Sequence, residues 1–162
     1  MGIILCPKVY DLDMNINDTK AQSRQRIGEA GETYVKKLLI SKGYLIYKTN
    51  FRKWGLEMDI IAYKFNLTTN VLEVRVIEVK TRSFYNYVDL AELNIASKIR
   101  SHKTMLYDLG DQIKGLLKER GDLGTGTFVY IKYYLDLAII GFQKEKNTVH
   151  LQKYIQNINL LM

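Results

Sequence analysis

The feature that most constrains this chain is a pair of apolar segments, residues 56–65 and 71–82, that carry charged residues inside them. Both segments are rich in β-branched side chains and a short polar stretch separates them, which predicts two strands joined by a turn. Asp59, Glu78 and Lys80 nevertheless occupy positions where a buried strand normally carries Val or Ile. Charged groups inside a central hairpin need a compensating partner or ligand, so these residues are candidates for a functional site.

A helix is predicted before the hairpin, from Gln22 to Ser41. Ile27, Tyr34 and Leu38 recur at helical spacing and form one apolar face. Gly43 follows the last periodic residue, as glycine commonly does just past the end of a helix. Glu32 falls at the edge of the apolar face rather than opposite it, which places a carboxylate near whatever the helix covers.

The remaining elements complete an α/β pattern in the order α-β-β-β-α-β. This order predicts a mixed central sheet flanked by helices. We expect a single domain over residues 22–162, preceded by an extension at 1–21 for which disorder is the simplest expectation. The further elements are a strand at 44–51, a basic turn at 52–55, a helix at about 94–119 with a break at Gly110, a long strand at 127–142 and a candidate last strand at 148–158.

Composition restricts the class of protein. The 162 residues suit one domain and carry a net charge of +7, which favours polyanionic partners such as nucleic acid. The single cysteine, Cys6, excludes an intramolecular disulfide and is compatible with a reducing compartment. No segment approaches the roughly 20 apolar residues that a membrane helix needs, and the first residues do not resemble a signal peptide. We therefore expect a cytoplasmic protein that has no membrane partner.

The two acids come together if the hairpin turns on Thr68 and Thr69. With Leu67 opposite Asn70, this register places Asp59 across from Glu78, so that both side chains project from the same face. A shift of one residue would separate them.

Two explanations account for such a pair of carboxylates. In the first, Glu78 pairs internally with Lys80 or Arg82, and the charges are structural. In the second, a divalent cation lies between Asp59 and Glu78, and Glu32 completes the site. Oxygen ligands without a Cys or His cluster suit Mg²⁺ or Mn²⁺ rather than Zn²⁺.

The spaced Asp59 and Glu78-Val79-Lys80, after a helix that carries Glu32, resemble the PD-(D/E)XK nuclease superfamily. The flanking sequence is similar to the YraN family of predicted endonucleases and, in the same segments, to archaeal Holliday junction resolvases. The similarity covers about 28–82. In that family a Gly-Glu pair opens the helix, here Gly31 and Glu32, and Glu-Val-Lys-Thr-Arg ends the hairpin. It continues weakly through Lys98 and Asp136. The chain departs from the family pattern in the Leu56 insertion, a longer turn, and Tyr134-Leu135-Asp136 in place of Arg-Phe-Asp.

The resemblance implies a restriction-endonuclease-like αβββαβ core and a Mg²⁺- or Mn²⁺-dependent endonuclease that hydrolyses DNA, with a preference for branched or junction DNA. Asp59, Glu78 and the Val79 carbonyl would hold the metal, and Glu32 would be a further ligand, direct or through water. Lys80 would orient the attacking water or neutralise charge on the phosphate. A resolvase-like activity would further imply a homodimer, because it needs two active sites.

Substrate binding would require cations outside this site. Phosphate contacts give affinity without sequence information, and each adds about −0.9 to the slope of log K against log salt on duplex DNA. For any one of these side chains, a solvated surface position is the simpler explanation. The candidates are Lys98, Arg100 and Lys103 in the second helix, Arg52 and Lys53 before the acidic strand, and Arg82 beyond it.

Two alternatives to a nuclease remain open. The first is a nucleic-acid-binding module that keeps the fold without catalysis, because fold and motif can outlive activity. The second is a structural or partner-binding protein whose acids are paired internally. RNA is not excluded as the substrate.

Overall fold

The structure is a computed structural model, and it describes residues 10–11, 18–53, 55–83, 95–124 and 126–156. In these ranges, two α-helices flank one sheet. A short 3₁₀ helix, Lys144–Lys146, precedes the last strand. The elements are β1 (Tyr10–Asp11), α1 (Lys20–Ser41), β2 (Leu45–Lys53), β3 (Leu56–Asn66), β4 (Val71–Ser83), α2 (Ile95–Glu119), β5 (Tyr130–Gln143) and β6 (Thr148–Ile155).

The strands form one sheet in the order β1-β6-β5-β4-β3-β2. Strands β4 and β5 are parallel and are connected through α2, whereas all the other neighbours in this sheet are antiparallel. This is the predicted αβββαβ core with a mixed sheet, followed by β6. The long strand β5 is central, since β4 and β6 lie on either side of it.

Helix α1 begins at an N-cap that the sequence encodes. Thr19 accepts a hydrogen bond from the Gln22 backbone N–H at 3.3 Å, and the Gln22 side chain accepts one from the Thr19 N–H at 2.8 Å. This reciprocal capping box satisfies two of the backbone donors that a helix start leaves unpaired. The helix therefore begins at Lys20, slightly earlier than the apolar periodicity predicts, and Gly43 follows it with φ of +81°.

The helices cover opposite faces of the sheet. Tyr34, Val35 and Leu39 of α1 pack in one core with alternating residues of β3, β4 and β5. Met105 and Leu109 of α2 pack with the intervening residues of the same strands. Neither helix in the described part of the chain has a long enough apolar stretch to cross a membrane.

The β3–β4 hairpin has the predicted register. Ile60 pairs with Ile77 and Asn66 with Val71, so the alternation of the two strands is in phase as far as this pair. The Asn66 side chain accepts hydrogen bonds from the backbone N–H groups of Thr68 and Thr69, which closes the turn. Such an Asx-type turn explains why a Thr-Thr sequence can reverse the chain without glycine.

Helix α2 is continuous through Gly110, so the predicted break was wrong. A Cβ atom at this position would lie 2.2 Å from the Tyr133 hydroxyl oxygen of β5. The glycine therefore permits close approach of the helix to the sheet and does not interrupt it.

The N-terminal and turn predictions also need adjustment. Strand β2 continues through Arg52 and Lys53, which pair with Glu57 and Leu56, so the basic turn is shorter than predicted. The sheet also includes residues 10–11 of the N-terminal extension, because β1 pairs with the start of β6. The division into an extension and one domain stays a prediction.

Candidate functional site

A cleft of about 630 Å³ lies between the first half of α1 and the ends of β3 and β4. Four of the predicted catalytic and metal-binding residues, Glu32, Asp59, Val79 and Lys80, line it, although they come from three different elements. Sequence reasoning therefore identified residues that the fold brings into one cavity. The other lining residues are Arg24, Ile27, Gly28, Thr81, Arg82 and Phe142.

Asp59 marks the point where β3 departs from β4. The described pairing of the two strands ends at Ile60 with Ile77. One step further, an Asp59 carboxylate oxygen accepts a hydrogen bond from the Val79 backbone N–H at 2.7 Å. The side chain thus takes the place of a backbone acceptor. It satisfies a strand donor and fixes its own orientation at the edge of the cleft.

The same contact orients the Val79 carbonyl. In an antiparallel strand the N–H and C=O of one residue point to the same neighbour. Since the Val79 N–H points to Asp59, its carbonyl oxygen also faces the gap between β3 and β4. A carboxylate and a backbone carbonyl are therefore close together on this side of β4.

Glu32 projects from α1 towards Asp59. Burial raises the pKa of the Glu32 carboxyl, and the negative charge of Asp59 raises it further. Lys36 and a hydrogen bond from the Asn50 side chain act in the opposite direction but are weaker. The ionised form of Glu32 is therefore disfavoured in the free protein, as expected for carboxylates that share a site without a cation between them.

Glu78 differs from the other predicted ligands. Its carboxylate forms an ion pair with the Lys80 ammonium, which is the pairing that the structural explanation predicts. Glu78 is not among the residues that line the cleft, whereas Lys80 is. Both side chains are partly buried. Lys80 therefore connects Glu78 to the cleft, and the expected cross-strand pairing of Asp59 with Glu78 is absent from the described ladder.

Sequence reasoning missed Asn50. It lies in β2 opposite Asp59, since Thr49 pairs with Ile60 and Phe51 with Met58. Its φ is +49°, a left-handed conformation that Asn tolerates better than most residues. An Asn within a predicted strand was the available signal. A strained backbone next to a cleft is a reason to consider function.

The predicted nucleic-acid-binding cations have different environments. Arg52 pairs with Glu57, and Lys53 pairs with Asp108, each at 2.9 Å. Arg82 lines the cleft and donates a hydrogen bond to the Thr81 carbonyl at 3.1 Å. The side chains of Lys98, Arg100 and Lys103 in α2 lie outside the described part of the structure.

A second buried charge group occupies the α1 face further along β4. Arg75 donates hydrogen bonds to Asp136 at 2.7 Å and to the Tyr44 hydroxyl at 2.7 Å. Tyr154 donates to the same Asp136 oxygen, and Tyr44 donates to Glu73. The Asp136 side chain is fully buried, so this acid has a structural role in holding β4, β5 and β6 together.

The donor set of the cleft fits Mg²⁺ or Mn²⁺. These hard cations prefer oxygen ligands, and Mg²⁺ commonly takes one or two carboxylates while water and phosphate supply the rest. Glu32, Asp59 and the Val79 carbonyl provide such oxygens. No group of three or more His, Cys, Asp or Glu side chains close enough to bind a metal occurs in the described ranges. A cation here would thus depend on the backbone and on the substrate for part of its coordination.

Two curated relatives match part of the chain, and both have the name "UPF0102 protein". The relative from Alkaliphilus metalliredigens is 39% identical over 61 residues, which cover 38% of this chain and 48% of the relative. The relative from Bacteroides thetaiotaomicron is 44% identical over 57 residues, which cover 35% of this chain and 42% of the relative. The chain therefore spans less than half the length of the curated relatives that it matches.

The family comparison covers most of the cleft. The matching segment begins at Gly31, directly before Glu32, and includes Asp59, Val79 and Lys80. It agrees with the YraN-like similarity that the sequence motifs indicate. Over residues 31–106, the chain matches the family model described as "Uncharacterised protein family UPF0102".

Proposed function

We propose that this protein is a metal-dependent endonuclease that hydrolyses phosphodiester bonds in DNA. The observation that carries the proposal is the convergence of Glu32, Asp59, Val79 and Lys80 on one cleft. The cleft places the acids Glu32 and Asp59 beside the cation Lys80 in a basic protein. Such a site suits a phosphodiester better than a neutral substrate.

The roles of the residues follow from their contacts. Asp59 is the first metal ligand, because the hydrogen bond from the Val79 N–H holds its carboxylate at the edge of the cleft. Glu32 is the further ligand, direct or through water, and a bound Mg²⁺ or Mn²⁺ would favour its ionised form. Lys80 supplies positive charge next to the phosphate, while Glu78 orients its ammonium. Glu78 binds Lys80 through one carboxylate oxygen, so for Glu78 to be a direct ligand as well its other oxygen would have to reach the cleft, which Glu78 does not line.

A bound divalent cation supplies polarisation of the scissile phosphate and a lower pKa for the attacking water. The chain supplies the geometry. The walls of α1 and β4 limit the approach of the DNA strand, and the hydrogen bond from Val79 keeps the Asp59 carboxylate at the cleft. Preorganised charges of this kind stabilise the charge that develops on the phosphate during hydrolysis.

The test is cleavage of labelled DNAs, namely single strand, duplex, flap and four-way junction, together with a matching RNA, in Mg²⁺ or Mn²⁺. We expect Asp59→Asn to reduce the cleavage rate on the order of 100- to 1000-fold. Asparagine keeps an oxygen acceptor for Val79, so the fold should persist. Asp111→Asn removes one exposed acidic charge from α2 and should cleave like the wild type.

The outcomes separate the alternatives. Cleavage that requires metal and Asp59 supports the nuclease, and the preferred DNA indicates whether it is selective for branched structures. Equal rates for Asp59→Asn and the wild type would contradict the site. Binding of DNA without cleavage of any substrate would favour the non-catalytic binding module. For a junction-cutting enzyme we also expect a homodimer, which light scattering can measure.

A further inference from the structure

The cleft has a cationic end that is distinct from its carboxylates. Arg24 lies on the same face of α1 as Glu32, about two turns earlier, which is about 12 Å along the helix axis. Arg82 lines the opposite wall, from β4. At this separation Arg24 cannot interact with the same ligand atom as Glu32. The cleft therefore suits a ligand that extends along it and carries negative charge at more than one point.

Thr81 places an unpaired hydroxyl between this cationic end and Glu32. Its Oγ1 is buried and has no hydrogen-bond partner among the described residues. The hydroxyl lies against Gly31, where a Cβ atom would approach it to 2.1 Å. A buried hydroxyl without a partner lowers stability, whereas valine would occupy the same volume without that cost.

Gly28 keeps the section of the cleft between Arg24 and Glu32 open. A Cβ atom built at Gly28 has no heavy atom within 4 Å, although this residue lines the cleft. Helix α1 therefore presents a side chain at Arg24 and at Glu32, with an open section between them. A group bound in this section would contact Thr81 on one side and Arg24 on the other.

We infer that Arg24, Thr81 and Arg82 form a phosphate subsite, which binds a backbone phosphate of the nucleic acid next to the one that is cut. The inference rests on the proposed function in taking a nucleic acid as the ligand. Thr81 reaches the phosphate by turning its hydroxyl about χ1 to another staggered position. There the O–H donates to a phosphate oxygen, and the two guanidinium groups supply the charge. Because its charges are positive, this subsite binds phosphate without a divalent cation.

The test is binding of a fluorescein-labelled DNA duplex in EDTA, followed by anisotropy at several salt concentrations. Arg24→Gln should reduce the slope of log K against log salt by about 0.9, as expected for one lost phosphate contact. Lys37→Gln removes one charge from the same helix outside the lining of the cleft and should leave the slope unchanged. Thr81→Val should weaken binding about tenfold without changing the slope, because the hydroxyl is uncharged, and Thr81→Ser should restore affinity.

Thermal unfolding provides a readout that a merely structural threonine would not give. Without DNA, Thr81→Val should raise Tm by about 2–4 °C, because it removes an unpaired buried hydroxyl. Higher stability together with weaker binding is the expected signature of a hydroxyl that has its partner in the ligand. A lower Tm for Thr81→Val would overturn this role of the hydroxyl.

The same assay distinguishes this subsite from the proposed catalysis. If Arg24→Gln and Thr81→Val bind like Lys37→Gln while metal-dependent cleavage persists, the subsite is wrong and the nuclease stands. If the binding effects appear but no DNA is cleaved in Mg²⁺ or Mn²⁺, the subsite stands and the nuclease is wrong. Absence of wild-type binding in EDTA at low salt would also overturn the subsite.

Discussion

Two groups of charged residues on the α1 face of the sheet differ in how their charges are balanced. Asp136 is fully buried, but Arg75 and Tyr154 both donate hydrogen bonds to it. Glu32 is only partly buried, yet burial and its neighbour Asp59 both disfavour its charge. An acid within a buried element is thus not in itself a sign of function. The informative difference is whether hydrogen-bond donors satisfy the carboxylate, as at Asp136, or a second carboxylate lies beside it, as at Glu32.

The largest expected effect is on the group around Asp136, in which Arg75 and Tyr154 donate to the carboxylate; we call it the balanced group. Arg75→Met leaves the Asp136 carboxylate buried without its guanidinium, and we expect the free energy of unfolding to fall by about 3–5 kcal/mol. Arg52→Met breaks the exposed pair with Glu57 and should cost less than about 1 kcal/mol. Urea unfolding of the two variants measures the difference. Similar losses would show that Arg75 and Asp136 contribute no more than a surface pair.

The balanced group should also make stability sensitive to alkali. Burial, with the hydrogen bond to Glu73, raises the pKa of Tyr44 to about 12 from an ordinary value of 10.0. Because the folded-state pKa is the higher one, this stabilisation is complete below pH 10 and is lost as the pH rises towards 12. The loss is roughly 2 kcal/mol. Urea unfolding between pH 9 and 12 should show a weaker pH dependence for Tyr44→Phe but not for Tyr130→Phe, which removes an exposed hydroxyl.

The pair Glu32 and Asp59, which we call the unbalanced group, should not lose stability when a charge is removed. Glu32→Gln removes a carboxylate whose pKa is raised, so we expect no loss of unfolding free energy at pH 7. The stabilisation linked to this pKa is present below the ordinary value of 4.5 and is lost as the pH rises above it. The free energy of unfolding of the variant should therefore depend less on pH just above 4.5 than that of the wild type.

We expect the same substitution to weaken Mn²⁺ binding on the order of tenfold, which calorimetry can measure. Glu29→Gln, about one turn earlier on α1, is the matched control and should bind Mn²⁺ like the wild type. Equal affinities of the two variants would exclude Glu32 from the metal site, and the raised pKa of Glu32 would then be no sign of function.

The smallest effect should be that of Asn50. Asn50 and Asn70 have nearly the same left-handed backbone, with φ of +49° and +52°. Glycine adopts this conformation readily, so each Asn→Gly substitution should change the free energy of unfolding by less than about 1 kcal/mol. Only Asn50→Gly removes a hydrogen bond to Glu32, and it should weaken Mn²⁺ binding about threefold. A matching decrease for Asn70→Gly, in the distant turn, would contradict this role.

Local patterns predicted much of the fold. The strand alternation and the position of the turn were sufficient for the hairpin register from Ile60 and Ile77 to Asn66 and Val71. Capping was equally local, since Thr19 and Gln22 are three residues apart. The break at Gly110 was wrong because the reason for that glycine is Tyr133, which belongs to another element.

The candidate site was less predictable than the fold. Asp59 and Lys80 were conspicuous as an acid and a lysine in apolar strands, Glu32 lay at the edge of the apolar face of a helix, and the resemblance added the Val79 carbonyl. The sequence left open whether Glu78 pairs with Lys80 or Arg82 or binds a cation together with Asp59, since alternation predicts a face but not the direction of a flexible side chain. Asn50 and Thr81 could not be found in this way. Their relevance depends on the separation of β3 from β4 and on the distance between α1 and β4.

The parallel pairing of β4 with β5 has a consequence for folding kinetics. Val71 pairs with Tyr130, and every other pair in this ladder is likewise about 60 residues apart in sequence. Contacts this distant form slowly, because closing the intervening loop precedes any gain from pairing, whereas the β3–β4 hairpin is local. Phe142 of β5 lines the cleft together with Val79. The hairpin can therefore form early, but the cleft is complete only after the slow step, and the DNA binding that we propose for the cleft should appear only at the end of folding.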